Sequence, residues 1–239
     1  ASAEAWKEKG FVEAGFIDYL KDEACITFPW SMIDKITPRP SESVCKMLED
    51  SGIEDMQPVV TSKHTYIAPY ANAEEPQYLV VEDAFPNGRP PLEEAGVYMT
   101  DRETVNKAKR MKVTVCLNPI HTALCTYDCM LGYELFADGM KDPEIAELAR
   151  QVGYVEGLPV VEDPGILSPK AFLDELMSVR FPNPYLGDTS ARIATDVSQM
   201  TAIRFGETVK AYVARDGDAK KLVAIPLPIA GWIRYLLAV

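Results

Sequence analysis

Met111-Lys112-Val113-Thr114-Val115-Cys116-Leu117-Asn118-Pro119-Ile120-His121 is the stretch on which the reading of this chain turns. Upstream, Thr100 with Glu103 has the form of a capping box, and the helix it opens is expected to run to about Gly132. A lysine, an asparagine, a proline and a histidine sit there among apolar residues. Asn118 and His121 are three apart and share a helix face, since each residue turns a helix by about 100°. A lysine among apolar neighbours can serve as a base once water is stripped from its charged form. The commoner reading is that Lys112 snorkels and His121 is a satisfied core histidine, because this spacing alone is not a specific pattern.

Downstream the chain is overwhelmingly helical. Asp142-Pro143 and Ser168-Pro169 each place a cap before a proline at the first helical position. Asp188 is expected to start a helix through Ala191 and Ile193 to Val197. Glu207 to Val213 and Leu227 to Leu237 follow, separated by the turn Arg215-Asp216-Gly217-Asp218. Upstream, the first 24 residues read as helix, with Gly10 a break point. Pro29, Pro38 and Pro40 forbid a continuous helix over 26–40, and Ser41 caps a short helix ending before Gly52. Val59 to Phe85 is the strand-like part. The expectation is one mainly α domain over residues 1–239 with a small β element around residues 59–85, without repeats or a low-complexity linker. Ala1 leads almost directly into a helix, and Leu236-Leu237-Ala238-Val239 ends without a glycine, proline or cationic cap, as expected of a piece of a longer protein.

The chain has 239 residues, 47% of them hydrophobic and 25% charged, enough for one large domain or two small ones. Asp plus Glu number 36 against 24 Lys plus Arg, for a net charge of −12. So acidic a surface repels phosphate backbones and argues against nucleic acid as a partner. The most apolar stretch, Leu222 to Val239, is interrupted by Pro226, Pro228 and Arg234, so it reads as a buried or interface helix rather than a membrane span. Five cysteines cannot all pair and none forms a C-x-x-C, which fits a reducing, cytoplasmic compartment. With two histidines, His64 and His121, a zinc site would need thiolates at a spacing this chain does not offer.

Three further clusters carry polar residues. Ser31 to Pro38 holds Asp34 and Lys35 between apolar residues, and Val80 to Phe85 closes an apolar run with Glu82 and Asp83. Each is also what a strand end at solvent looks like. Arg192, Asp196 and Arg204 lie on or after one helix, where an arginine can clamp a carboxylate or simply pair with local acids.

Phe28-Pro-Trp-Ser-Met-Ile-Asp-Lys-Ile-Thr-Pro38, Val81-Glu-Asp-Ala-Phe-Pro-Asn-Gly-Arg-Pro90 and Lys112…Asn118-Pro-Ile-His121 occur in that order. In this the chain resembles the polyol-specific long-chain dehydrogenases, the mannitol dehydrogenase and fructuronate reductase (mannonate oxidoreductase) family. Ser62-Lys-His-Thr-Tyr-Ile-Ala-Pro69 and Arg204-Phe-Gly-Glu-Thr208 look most like its uronate branch. The resemblance covers essentially the whole chain, but only the family's helical, substrate-binding C-terminal part, whose fold is similar to the 6-phosphogluconate dehydrogenase C-terminal domain. The family's N-terminal Rossmann domain has no counterpart here, for none of the 14 glycines makes a G-x-G-x-x-G. The resemblance implies a fragment of an NAD(H)-dependent enzyme, inactive alone, whose partners are its own Rossmann domain and a sugar acid or polyol.

By position, Lys112 matches the family's proton-transferring lysine, Asn118 an asparagine that stabilises the developing oxyanion, and His121 the histidine that orients substrate. Asp34 and Arg192 match positions associated with binding substrate hydroxyls or orienting the site. A six-carbon acid would want a cation, for which Lys63, His64, Arg192 and Arg204 are candidates. No metal is implied. Met200 stands where many relatives have a lysine, which removes one expected contact. A neutral polyol such as mannitol or arabinitol is the alternative substrate. A non-catalytic interaction module using the apolar C-terminal helix is the alternative of another class.

Mannitol-type relatives place the lysine five residues before the asparagine, whereas here the interval is six. In a regular helix Lys112 and His121 would then lie about 180° apart. Pro119 gives no N–H to the carbonyl of Val115 and crowds it. The expectation is a helix distorted between Val113 and Pro119, with one residue absorbed as a π-bulge, so that Lys112, Asn118 and His121 line one cleft.

Overall fold

The computed structural model describes residues 2–38, 40–75 and 77–238. Ala1 and Val239, the termini read above, lie outside these. In chain order the elements begin with helices α1 (Ser2–Glu8) and α2 (Phe16–Lys21), strand β1 (Ser31–Asp34), helix α3 (Glu42–Asp50), and strands β2 (Val59–Val60), β3 (Tyr66–Ile67), β4 (Tyr78–Glu82) and β5 (Tyr98–Thr100). The rest is helical: α4 (Arg102–Arg110), α5 (Asn118–Leu131), α6 (Phe136–Gly139), α7 (Pro143–Arg150), α8 (Pro169–Glu175), α9 (Ser190–Ala194), α10 (Val197–Arg204), α11 (Gly206–Asp216) and α12 (Pro226–Leu236). Three π-helical segments interrupt it, at Met111–Cys116, Gln151–Gly157 and Leu176–Arg180.

The chain divides into two compact units, Ala1–Asp34 with Tyr78–Asn106, and Lys35–Gln77 with Lys107–Val239. Each is assembled from two separate segments, so no Gly- or Pro-rich linker marks the division in the sequence. In the smaller unit β4 pairs antiparallel with β1 (Ser31 opposite Val81, Asp34 opposite Tyr78) and parallel with β5 (Val80 opposite Tyr98). The acidic pair that ends β4 takes the bland reading. Asp83 is gripped by Arg89 at 2.7 and 2.8 Å, and Glu82 accepts Arg102 Nε at 3.0 Å.

Four expectations are corrected. The break expected at Gly10 is present, with a φ of +70°, but less of the first 24 residues is helical than expected, since α1 stops at Glu8 and α2 covers only Phe16–Lys21. Strands β2 and β3 form a separate hairpin in the larger unit, so the β structure is two elements rather than one over residues 59–85, and β1 and β5 lie outside that range. Thr100 is no cap: its backbone is committed to pairing with Glu82, and Asp101 caps α4 instead, accepting Thr104 N at 2.9 Å. Asp188 does not start a helix, since Thr189 holds the N-cap position of α9 and the Asp188 side chain turns inward.

In the larger unit α5 is the axis. Most of its residues are buried, as a helix that is apolar on nearly all sides requires, and α7, α9, α10 and α12 pack around it. The punctuation read in the sequence is present. Asp142 accepts Glu144 N at 2.8 Å to open α7, Ser168 accepts Ala171 N at 3.3 Å to open α8, and Gly132 closes α5 in the left-handed region. Helix α12 is seated on α5 at Gly231, where a Cβ would stand 2.7 Å from the Tyr127 ring. The N–H groups of Val223, Ala224 and Ile225, in the turn that leads into α12, all donate to the buried carboxylate of Glu156. Glu156 thus does for α12 what a local cap does elsewhere.

Candidate active site

The helix that carries Lys112 changes pitch directly after it. Over Met111–Cys116 it is π-helical, and Leu117 N donates to the Lys112 carbonyl five residues back at 3.1 Å. The ordinary four-residue pattern has resumed where His121 N donates to the Leu117 carbonyl at 3.0 Å. The physical cause lies in Pro119, which cannot donate to Val115. A five-residue turn in place of a four-residue one removes about 100° of rotation, so Lys112 and His121 come within about 80° of each other instead of facing apart. The expected distortion is therefore present, and it leaves Asn118 about 140° around the axis from Lys112 with His121 between them. Among the described residues, the cavity nearest this segment, about 40 Å³, opens on another face of it, against Met111, Thr114 and Val115, and Glu162 and Glu207 also line it.

Around His121 the site is dry and aromatic. The ring stands edge-on to Phe136 at 4.7 Å and tilted against Phe181 at 4.8 Å, with only 12% of the side chain exposed. Its Nε2 lies 3.5 Å from Oδ2 of Asp188, which on its other oxygen accepts Arg192. Asn118 Oδ1, His121 Nε2 and Asp188 Oδ2 are all buried without a hydrogen-bond partner. Buried polar atoms without partners are rare in a finished core, and each calls for an explanation.

The remaining expected residues are distributed as follows. Arg192 lies on α9 with 60% of its side chain exposed, tied to Asp188. Arg204 is buried and committed to structure, donating to Asp196 at 3.0 Å and to Thr122 at 2.7 Å. Lys63 and His64 occupy the exposed β2–β3 turn, His64 with a φ of +59°. Asp34 is buried at the end of β1, in the smaller unit. Sequence reasoning missed Asp188, Asp128 and Ser190. Asp128 sits one face away on α5, fully buried, accepting the Ser190 hydroxyl at 2.8 Å. A Cβ on Gly139 would lie 2.3 Å from its Oδ1, so only glycine lets α6 come this close.

Burial pushes the Asp128 carboxyl up to about 6. Burial also pushes the His121 imidazole down to about 4, opposed by Asp188 and reinforced by Arg180, Arg192 and Arg204. These shifts act on stability in opposite senses. The fold keeps the Asp128 proton that the unfolded chain releases near 3.8, so stability is lost as pH rises from there to about 6. The fold refuses the His121 proton that the unfolded chain takes near 6.5, so stability is lost as pH falls from there to about 4. Asp128→Asn abolishes only the first effect. Its stability relative to the wild type, read from urea midpoints, should therefore grow as pH rises from 4 to 6. A constant difference across that window would refute the shift at Asp128.

A family model described as the mannitol dehydrogenase C-terminal domain matches residues 104–239. The chain is 58% identical to D-mannonate oxidoreductase of Thermotoga maritima, over 99% of this chain and 44% of that protein. Polyol:NADP oxidoreductase of Gluconobacter oxydans is 31% identical, over 88% of this chain and 40% of its own length. Among solved structures, substrate-free D-sorbitol dehydrogenase is similar with a TM-score of 0.75 and 29% identity, covering 92% of this chain and 41% of that one. The ternary complex of Pseudomonas fluorescens mannitol 2-dehydrogenase with NAD and D-mannitol gives 0.69 and 27%, covering 94% and 42%. The chain spans less than half the length of these relatives.

Proposed function

The chain belongs to the mannitol dehydrogenase family through its C-terminal domain, and on that premise we propose that its parent enzyme interconverts a hexuronate ketone and an aldonate, of the fructuronate and mannonate type, with NAD(H). The observation that carries the sugar-acid reading is the 58% identity to a D-mannonate oxidoreductase, against 31% to a polyol enzyme. The residues present do not fit the cofactor itself: no two glycines stand two apart to open a pyrophosphate turn. An N-terminal Rossmann domain is the partner that would bind it. Unpaired cysteines fit a cytoplasmic setting, and among the described residues no helix is long and apolar enough to cross a membrane.

What this chain supplies is the handling of the reacting oxygen. Lys112 Nζ takes the alcohol proton in oxidation and returns it in ketone reduction. The Asn118 amide donates to the oxygen as negative charge builds there, and His121 orients the neighbouring hydroxyls. The π-turn supports this division of roles because it brings Lys112 and His121 within about 80° of each other around the helix. For the substrate carboxylate the exposed guanidinium of Arg192 is the better of the two arginines, since Arg204 is held by Asp196 and Thr122.

Assaying the full-length protein with NADH against fructuronate, fructose and a panel of keto sugars tests the reading. Turnover of fructuronate is expected, turnover of fructose alone would make it a polyol enzyme, and no turnover of any keto sugar would defeat it. The 239-residue chain alone should bind no NADH at micromolar concentration in a fluorescence titration. Saturation at one site per chain would overturn the assignment of the cofactor to another domain.

A further inference from the structure

Asp188 has no role in the scheme above, yet two of its members meet on it. One carboxylate oxygen accepts Arg192, and the other, Oδ2, stands 3.5 Å from His121 Nε2. Oδ2 and Nε2 are both buried and both lack a hydrogen-bond partner. A carboxylate oxygen can only accept, whereas each nitrogen of a neutral imidazole either donates or accepts. A proton on Nε2 therefore answers both orphaned atoms together. A proton on Nδ1 would leave two lone pairs facing each other across a dry gap, which is costly.

The carboxylate is not free to swing away. The Asp188 carbonyl accepts Phe136 N at 3.0 Å, Thr189 bridges to Leu135, and Ser190 N donates to the Glu134 carbonyl at 3.1 Å. Ser190 is further anchored through its hydroxyl to Asp128 at 2.8 Å. Facing the imidazole are the Phe136 and Phe181 rings, the cations Arg180, Arg192 and Arg204, and Asp188 as the acid. In that company the ring stays neutral at pH 7, and its tautomer is the property left to be set.

We propose that Asp188 is a positioning residue: it fixes His121 with the proton on Nε2, leaving Nδ1 as the lone pair that accepts a hydrogen bond from a substrate hydroxyl, and it holds Arg192 beside the same site. The catalytic part of this rests on the substrate role given to His121 above; the tautomer does not. His121 then accepts from a hydroxyl rather than offering a proton, a bond that a keto oxygen could not supply.

The chain has only two histidines, His64 and His121, so a long-range proton–nitrogen correlation spectrum of the 15N-histidine-labelled chain at pH 7 reads both tautomers directly. His121 is expected as the pure Nε2–H form, and an Nδ1–H or doubly protonated ring in the wild type would overturn the inference without any variant. In Asp188→Asn the amide can turn its N–H toward Nε2, so His121 should move toward the Nδ1–H form, while Arg192→Lys should leave the tautomer unchanged. In the full-length protein, Asp188→Asn should lower kcat for fructuronate reduction at least about tenfold with the KM for NADH unaltered. Normal turnover in that variant would end the positioning role. A wild-type enzyme inert toward fructuronate would instead end the substrate reading and leave the spectrum to decide the tautomer.

Discussion

Replacing Lys112 with alanine in the full-length parent lowers kcat by roughly 10²–10⁴-fold and leaves NADH binding nearly unchanged. In the proposed mechanism, removing the base costs most in the transition state, where the oxygen's proton is in transit, and little in either ground state. That is why the loss falls on kcat rather than on cofactor affinity. The expectation stands on the π-turn, whose five-residue hydrogen bond from Leu117 to the Lys112 carbonyl brings the lysine within about 80° of His121 around the helix. Without that turn the lysine would face away from His121, about 180° around the axis. Near-normal turnover at neutral pH in the variant would remove Lys112 from the mechanism.

The second large effect is on stability. Arg180 is wholly buried, and its guanidinium meets Glu74 in a two-pronged pair, Nε to Oε2 at 2.8 Å and Nη2 to Oε1 at 2.6 Å. The same Glu74 carboxylate also accepts Ile36 N, so it ties the 35–77 segment to the helical part of the larger unit. Glu74→Ala takes from a buried guanidinium the carboxylate that grips it on two sides, while Glu175 stands no closer than 4.0 Å. The expected loss is about 3–5 kcal/mol, read as a lowered urea midpoint. Replacing both partners, as Glu74→Leu with Arg180→Met, should recover much of it, because no charge is then stranded. A midpoint unmoved by Glu74→Ala would mean that water reaches Arg180.

Local signals in the sequence were good guides to where helices begin and end. Asp142-Pro143, Ser168-Pro169 and Gly132 act within a few residues of themselves, and each is found in its role. The distortion after Lys112 was legible for the same reason, since the six-residue interval and Pro119 are neighbours in the chain. The other π-segments carry no such mark. At Gly153 and Gly157 a Cβ would stand 2.8 Å from Ile120 and 2.9 Å from Val115, a demand visible only once α5 and the π-turn before it are in place. Asp188 was misread because an acid before Thr189 and Ser190 looks like a cap, and only the distant His121 gives it other work. Glu74 and Arg180, 106 residues apart, announce nothing to each other along one chain. Thr100 failed as a cap because its strand partner, Glu82, outranks local capping chemistry.

Chain length and geometry come apart at Met111–Cys116. A π-turn is an insertion that a helix has absorbed without lengthening its path by a full step of rotation. Excise one residue there and let the helix relax to ordinary pitch, and the lysine keeps its bearing on the asparagine, about 140° around the axis. An added or lost residue within α5, by contrast, would swing everything beyond it by about 100°. An alignment gap at this spot is therefore silent for the chemistry, and homologous sites can be one residue out of step in sequence while coinciding in space. The interval between two catalytic groups is a quantity that can drift by neutral change, provided the drift is confined to a turn able to hold one residue more or less.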